Sequence, residues 1–497
     1  MTCFNVGGSV WAMDWCPQQQ IQNEEQEETE IEKQYIAIGS HSNWNDYHKI
    51  GKKYTGKHVI QIWEMEYNKK QGKIIRNKIV YGIVHDGGCI WDLKWCPQGE
   101  INNKGNEERM GLLAVATGDG TLSCYPIPFP NKFINQMKLN DDELIQFKNE
   151  GLFIKLNKVF ENKYQSPIQQ ISWSIHQNSN WLLIGDSDGF LYYYNLNLIS
   201  NNDKNNNNNN EIDNGEKSLP VISIHAHNKG ITGIGWSPSN RNIIVTTSRD
   251  AYFKVWDIRE PFRPVFSHQI GGGYLTSVDW GKPVTLTTHK FPFAVLGMEE
   301  NSVRLFDIER VHCRTICDSS INTIWDVHLN YYLPRIASVG ADGRLQIINA
   351  EHFRSSSKRV KQPPLLSIMF NFIENDNIIH LTDSTPIIPI KTTSTSASPV
   401  SKKKSTPKKK ATTPKSKKSK NIENDENENE DIDNDGEQEI NNNNNNTNQE
   451  TNVTPKFIFP DPIINMQKIR WNPNKQFSSW FAMAGSAGVV YLCEYNK

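Results

Sequence analysis

The chain has 497 residues, with 54 Lys and Arg against 55 Asp and Glu, so nothing in its overall charge argues for nucleic-acid or membrane binding. No stretch approaches the roughly 18–20 uncharged apolar residues of a membrane span, and the N-terminus lacks the basic and apolar regions of a signal peptide. The 8 Cys form no CxxC pair, which predicts idle or buried thiols in a reducing compartment and no metal site.

Taken in chain order, one phrase recurs seven times: an apolar strand ending in an aromatic residue, a second strand, a Gly/Asp turn and a third strand. "VWAMDWCP" is followed by "YIAIGS" and "HVIQIW", and "CIWDLKWCP" by "LLAVATGDGTLSCY". Then come "IQQISWS", "ITGIGWSP", "LTSVDW", "INTIWDVHL" and "MQKIRWNP", each with its own pair of strands. Period-two alternation and tight Gly/Asp turns mark hairpins, and a less regular fourth strand precedes each tryptophan phrase. One such unit cannot bury both faces, so the units must stack around an axis. The expected fold is all-β, a seven-bladed β-propeller with disordered loop insertions; the resemblance of its fourth unit, "HNKGITGIGWSP…SRDAYFKVWD", to a WD40 repeat implies that the propeller is of WD40 type.

Six blades are expected within residues 1–374 and the seventh within 456–497, which has no room for its own fourth strand. Residues 1–6 are expected to supply that strand and close the ring, removing two sheet edges. Insertions at 18–34, 41–58 and 201–217 are polar and read as solvated loops. The largest, 375–455, combines Ser/Thr/Pro, a Lys block (402–420), an acidic block (423–439) and an Asn tract, and reads as disordered. Within it, Lys402, Lys403, Lys404, Lys408, Lys409 and Lys410 form a candidate nuclear localisation signal or DNA arm, and Thr406 and Thr413 precede prolines as phosphorylation sites do.

In that fourth unit the WD40 resemblance implies a buried network of His227, Ser248, Asp250 and Trp256, with Asp250 accepting from the His227 imidazole. A catalytic triad from the same residues is disfavoured, because no nucleophile motif surrounds Ser248. Asp119, Asp188 and Asp342 hold the turn position in units two, three and six, and His85 and Asp86 lie near the histidine position of unit two. No phosphate loop, HExxH or paired-Cys site occurs, so no enzyme activity and no cofactor, metal or small-molecule substrate is expected.

Three phrases of the first third, "GGSVWAMDWCP", "HDGGCIWDLKWCPQGE" and "RMGLLAVATGDGTLSCYPIPFP", resemble the WD40 subunit of transcription factor IIIC, the general transcription factor 3C polypeptide 2 family. The matching positions are Gly7, Gly8, Trp11, Asp14, Trp15, Cys16 and Pro17; then His85, Asp86, Gly88, Trp91, Asp92, Leu93 and Lys94; then Gly111 to Ala114 with Pro126, Pro128 and Pro130. The resemblance implies a nuclear scaffold supporting recognition of internal tRNA-gene promoters and RNA polymerase III initiation. Its implied partners are a second propeller subunit and a large DNA-binding subunit, with tRNA-gene DNA held within the complex. That family carries a long extension before its repeats, whereas this sequence opens on them. Arg249, Arg259, Arg304 and Arg344 sit at turns or strand ends as candidate partner or phosphate contacts. A histone- or peptide-binding chromatin subunit and a cytoplasmic adaptor are the alternative readings.

Overall fold

The structure, a computed structural model, describes residues 1–18, 30–42, 48–97, 109–130, 152–176, 180–196, 219–271, 273–281, 293–308, 310–318, 322–350, 366–373, 378–383 and 462–495. Its first strand, β1 (Thr2–Asn5), belongs to the last blade. Blade 1 comprises β2 (Val10–Trp15), β3 (Ile31–Ser40), β4 (His58–Asn68) and β5 (Lys73–His85). Blade 2 comprises β6 (Ile90–Trp95), β7 (Arg109–Thr117), β8 (Thr121–Pro128) and β10 (Phe160–Lys163); β9 (Leu152–Ile154) instead reaches back and pairs parallel with β5. Blade 3 is β11 (Ile168–Trp173), β12 (Trp181–Asp186), β13 (Phe190–Asn195) and β14 (Ile222–His225). Blade 4 is β15 (Ile231–Trp236), β16 (Ile243–Ser248), β17 (Tyr252–Asp257) and β18 (Phe266–Gln269). Blade 5 is β19 (Leu275–Gly281), β20 (Phe293–Met298), β21 (Ser302–Asp307) and β22 (His312–Asp318). Blade 6 is β23 (Ile324–Leu329), β24 (Arg335–Gly340), β25 (Arg344–Asn349) and β26 (Leu366–Ile373), with β27 (Ile378–Asp383) added at its edge. Blade 7 joins β28 (Met466–Trp471), β29 (Trp480–Gly485) and β30 (Val489–Glu494) to β1.

The seven inner strands follow one another around a closed circle, β2 to β6, β11, β15, β19, β23, β28 and back to β2. The chain is a seven-bladed β-propeller. Its hydrophobic core is divided accordingly into seven clusters, each lying in the seam between two neighbouring blades. Strand alternation produces this division: Leu113 and Val115 of β7 face blade 1, while Leu112, Ala114 and Ala116 face blade 3. A side chain on either face is therefore buried, which explains apolar runs such as "LLAVA" where a one-sided sheet would alternate.

Two expected insertions contain strand instead. Residues 31–34 are not loop but the outer part of β3, which pairs from Ile31 with Asn68 to Gly39 with Ile60 and carries blade 1 well beyond the propeller's usual strand length. Residues 378–383 are likewise not insertion but β27, paired with β26 from Ile378 with Ile373 to Asp383 with Ile368. Both segments carry β-branched residues between polar ones, and an available edge strand converts that weak pattern into a ladder. Residues 201–217 and the Lys402–Lys410 cluster lie outside the described residues, as do Thr406 and Thr413.

The ring closes without a covalent bond. β1 pairs antiparallel with β30, Thr2 opposite Leu492 and Asn5 opposite Val489, and Val6 continues through its N–H to the Gly488 carbonyl at 2.8 Å. Val6 also enters the seam between blades 7 and 1 beside Val10 and Val490. Deleting residues 1–6 is expected to cost on the order of 3 kcal/mol, from lost ladder bonds and the Val6 side chain. Thermal melting of the truncated chain checks this, and an unchanged midpoint contradicts it.

Candidate functional site

Each inner strand contains the same irregularity: pairing with the second strand skips one residue after the first position, as between Val10 and Ala12, Ile90 and Asp92, or Ile324 and Asp326. The remaining four inner strands repeat it at Ile168/Gln170, Ile231/Gly233, Leu275/Ser277 and Met466/Lys468. A bulge inserts one residue and re-aims its side chain. Trp11, Trp91 and Trp325 occupy this extra position in blades 1, 2 and 6. β6 therefore does not place Trp91 and Trp95 on one face and Asp92 and Lys94 on the other. Leu93 and Trp95 enter the seam with blade 1, Asp92 turns toward blade 3, and Trp91 stands apart at the bulge.

An inner strand is a sheet edge, and its outward N–H groups need acceptors. The preceding blade supplies them. Asp14 accepts from Trp95 N at 2.9 Å, Asp92 from Ile171 N at 2.9 Å, Asp279 from Leu329 N at 2.7 Å and Asp326 from Ile469 N at 3.0 Å. His328 Nδ1 accepts from Trp471 N at 3.2 Å. Indoles return the connection: Trp15 Nε1 donates to Arg470 O at 3.0 Å, Trp173 to Lys94 O at 2.9 Å, Trp236 to Ser172 O at 3.3 Å and Trp471 to His328 O at 3.2 Å. The Trp-Asp recurrence in units two and six thus has one cause, a carboxylate that fastens the next inner strand. Between blades 4 and 5 glycine serves instead. A Cβ on Gly233 would lie 2.7 Å from Val278 Cγ1, so the two strands approach too closely for side chains between them.

These groups gather charge around the axis. Burial raises the Asp14 carboxyl against the pull of Lys94 and Arg470, and burial raises Asp279 to about 6. Burial, reinforced by Arg470 and Lys94, holds His328 well below its ordinary value, so the ring is neutral and its Nδ1 is free of a proton to accept from Trp471. Burial alone would lower Arg470, but Asp326, Asp14 and Asp92 more than offset it; its Nη1 donates directly to Asp326 Oδ2.

The 41–58 insertion is not a free loop. Its described part, residues 48–57, crosses the mouth from blade 1 over blade 2. Tyr54 N donates to Gly118 O at 2.9 Å, Gly56 N to Asp86 O at 3.2 Å and Gly88 N to Gly56 O at 2.9 Å, while Lys53 reaches Tyr164 O at the edge of blade 2. His48 packs edge-on against His41, Tyr54 and Trp91 at 4.7, 4.5 and 6.2 Å between centroids, and Trp11 meets Trp91 at 5.7 Å. The 41–58 segment that carries this strap explains Gly8 and Gly88 of the first-third phrases. A Cβ on Gly8 would sit 1.8 Å from His41 O, and one on Gly88, whose φ is +74°, 2.3 Å from Tyr54 O. Trp325 has no such cover among the described residues and is 36% exposed.

In blade 4, His227 Nδ1 lies 3.0 Å from Asp250 Oδ2, and His227 Nε2 2.7 Å from Thr246 Oγ1, which accepts from Trp256 Nε1 at 2.9 Å. Thr246, not Ser248, joins the imidazole to the indole. The Ser248 hydroxyl donates to Lys229 O at 2.8 Å and accepts from Asp250 N at 3.1 Å, which shapes the turn. Burial lowers the His227 imidazole while Asp250 opposes it, and the bond to His227 helps hold Asp250 down to about 2 despite its burial. Blade 2 has a different arrangement: Asp119 pairs with Lys163 at 2.9 Å, and His85, lowered to about 4 by burial and then by His58, accepts from Gly87 N at 3.3 Å. Asp188 accepts from Ser166, and Asp342 from Arg344 N at 3.0 Å.

Three of the four candidate arginines are engaged within the propeller. Arg249 lies over the Tyr274 ring at 5.7 Å, Arg304 donates to Gly271 O at 2.6 Å and Ser302 Oγ at 3.2 Å, and Arg344 approaches Asp342 at 3.8 Å. Arg259 is exposed and forked onto Asp257, with Nη2 to Oδ2 at 2.6 Å. Sequence reasoning missed Thr246, Asp279, His328, Lys468, Arg470, His48 and Tyr54. A signal existed for three of them: Asp279, His328 and Arg470 all occupy the position before the closing residue of an inner strand, as Asp14 and Lys94 do.

Residues 218–257 match the family model described as WD domain, G-beta repeat, a stretch that runs from β14, the outer strand of blade 3, through the first three strands of blade 4. The chain is 26% identical over 276 residues to the human protein named General transcription factor 3C polypeptide 2, covering 53% of this chain and 29% of that protein. It is 22% identical over 354 residues to Transcription factor tau subunit sfc6 of Schizosaccharomyces pombe, covering 69% and 49% respectively. It is also 20% identical over 317 residues to GATOR2 complex protein MIOS of Dictyostelium discoideum, covering 60% and 23%. The chain thus spans less than half the length of each of these relatives.

Two substitutions test the seam chemistry. Asp326→Ala leaves the buried Arg470 unpaired and is expected to cost about 3–5 kcal/mol in urea unfolding, with a cost below 1 kcal/mol contradicting the pairing. Asp279 favours its protonated form when folded, so its contribution to stability is full below its unfolded value near 3.8 and declines as pH rises through about 6. Asp279→Asn keeps an acceptor for Leu329 N without the charge, so its stability relative to the parent should improve as pH rises from 4 to 7. A constant difference across that range would falsify the assignment.

Proposed function

We propose that this chain is a non-enzymatic scaffold subunit of a transcription factor IIIC-type assembly in the nucleus. It supports recognition of internal tRNA-gene promoters, and thereby RNA polymerase III initiation, through protein–protein contacts. The observation that carries this reading is the similarity to General transcription factor 3C polypeptide 2 and to Transcription factor tau subunit sfc6, which extends beyond the single matched WD repeat. The geometry is compatible with such a role. Inter-blade bonds make a stiff ring, and a stiff ring presents loops in fixed positions to several partners. Its expected partners are a second propeller subunit and a large DNA-binding subunit, with tRNA-gene DNA in the complex.

Tagging the full chain, purifying it from nuclear extract at moderate salt and identifying its companions by mass spectrometry tests the proposal. The expected companions are those two subunits together with tRNA-gene fragments. Histones with chromatin enzymes would favour the peptide-reading alternative, and cytoplasmic complex components would favour an adaptor. Either result overturns the promoter reading and leaves the fold untouched.

A further inference from the structure

In an antiparallel blade the first-to-second and third-to-fourth strand connections open on the same end of the ring. Three such connections in blades 4, 5 and 6 carry exposed apolar side chains. In the connection from β17 to β18, Phe262 is 94% exposed and Val265 66% exposed. Val311, in the connection from β21 to β22, is 49% exposed, and Tyr331, between β23 and β24, is 45% exposed. Single exposed apolar residues are ordinary, but a phenylalanine standing almost wholly in solvent on one face with three others is not.

The Phe262 connection is held in shape. Asp257 Oδ1 accepts from Arg259 N at 3.0 Å, Asp257 O from Glu260 N at 3.0 Å, and Asn242 O from Ile258 N at 2.9 Å. Pro261 and Pro264 flank the phenylalanine and restrict φ on either side. A side chain presented this way loses little freedom when it enters a partner.

Cations accompany the apolar groups. Arg259 and Arg310 are exposed at this end, each beside an aspartate of its own blade, Asp257 and Asp307. Arg263 and Arg241 are exposed with no carboxylate paired to them among the described residues, and Arg241 lies over the Trp181 ring at 5.4 Å. Phenylalanine and arginine together are the composition of protein interfaces. A nucleic acid fits less well, because Asp257, Glu260 and Asp307 interrupt the positive charge and Phe262 and Val265 offer a phosphate nothing.

We propose that this end of blades 4 to 6 docks an acidic protein segment bearing apolar side chains, with Phe262 as the inserted anchor and Arg259 and Arg263 pairing with carboxylates beside it. The inference stands on these connections alone and holds whichever assembly the chain belongs to.

A photoreactive benzoylphenylalanine placed at position 262 of the full chain in cells tests it, with the same group at Ile75, an exposed residue of blade 1, as control. The expected result is a crosslink from position 262 at least tenfold above the control, to another polypeptide, within a segment where Asp and Glu outnumber Lys and Arg and apolar residues alternate with them. Adding Arg259→Glu and Arg263→Glu should lower that yield at least tenfold with an unchanged melting temperature. A yield equal to the control, an adduct to nucleic acid or to this chain itself, a basic or uncharged target segment, or indifference to the two arginine reversals each overturns the proposal.

Discussion

The inner edge of every blade poses the same problem, and its solution organises the molecule. Seven strands face the axis with one side of their backbone unpaired by any other strand. An unpaired N–H away from bulk water is costly, so each needs an acceptor that sheet formation cannot provide. Side chains of the preceding blade provide it at Asp14, Asp92, Asp279, Asp326 and His328. The bond that satisfies a backbone group is thus also the bond that joins two blades. Trp15 and Asn474 extend this logic across the non-covalent closure, since Trp15 donates to Arg470 O and Asn474 Nδ2 to Cys16 O at 3.2 Å.

Carboxylates collected around one axis repel one another, and the structure answers with Lys94, Lys468 and Arg470 among them. Burial outweighs those cations at Asp279, which is held toward its neutral form, and burial together with Arg470 and Lys94 keeps His328 neutral. Blade 4 avoids the difficulty by having Gly233 and Gly235 where other blades have charge. The ring is consequently uneven: a strapped, aromatic and charged arc at blades 1 and 2, and an uncharged inner strand at blade 4 closely apposed to blade 5. The exposed aromatic side chains of Phe262 and Trp325 stand away from the strap.

Much of this was legible in the chain. The seven tryptophan phrases imply seven inner strands, because each ends on a large apolar side chain that fills a seam, Trp in six of them and Leu329 in blade 6. The His227–Asp250 pair was legible from the WD40 likeness, but its relay through Thr246 was not, since a threonine within "IIVTTS" is indistinguishable from ordinary strand composition. The arginines at turns read as candidate partner or phosphate contacts; Arg304 and Arg249 fold back onto a carbonyl and a ring, and Arg259 and Arg344 lie beside aspartates of their own blades. The 41–58 segment looked like solvated loop because its polar residues pair with backbone groups of blade 2, a partner some thirty to sixty positions away in sequence.

Periodicity and turn chemistry by themselves determined the repeat number and the all-β architecture, because these depend on interactions between near neighbours. The bulge in every inner strand, the partner of each channel carboxylate, the strap over Trp91 and the ionisation of Asp279 and His328 were decided only by tertiary structure. Each depends on which blade lies beside which, at distances along the chain from Asp14 to Trp95 up to Trp15 to Arg470. A sequence specifies what a strand has to satisfy; the closed ring specifies which residue satisfies it.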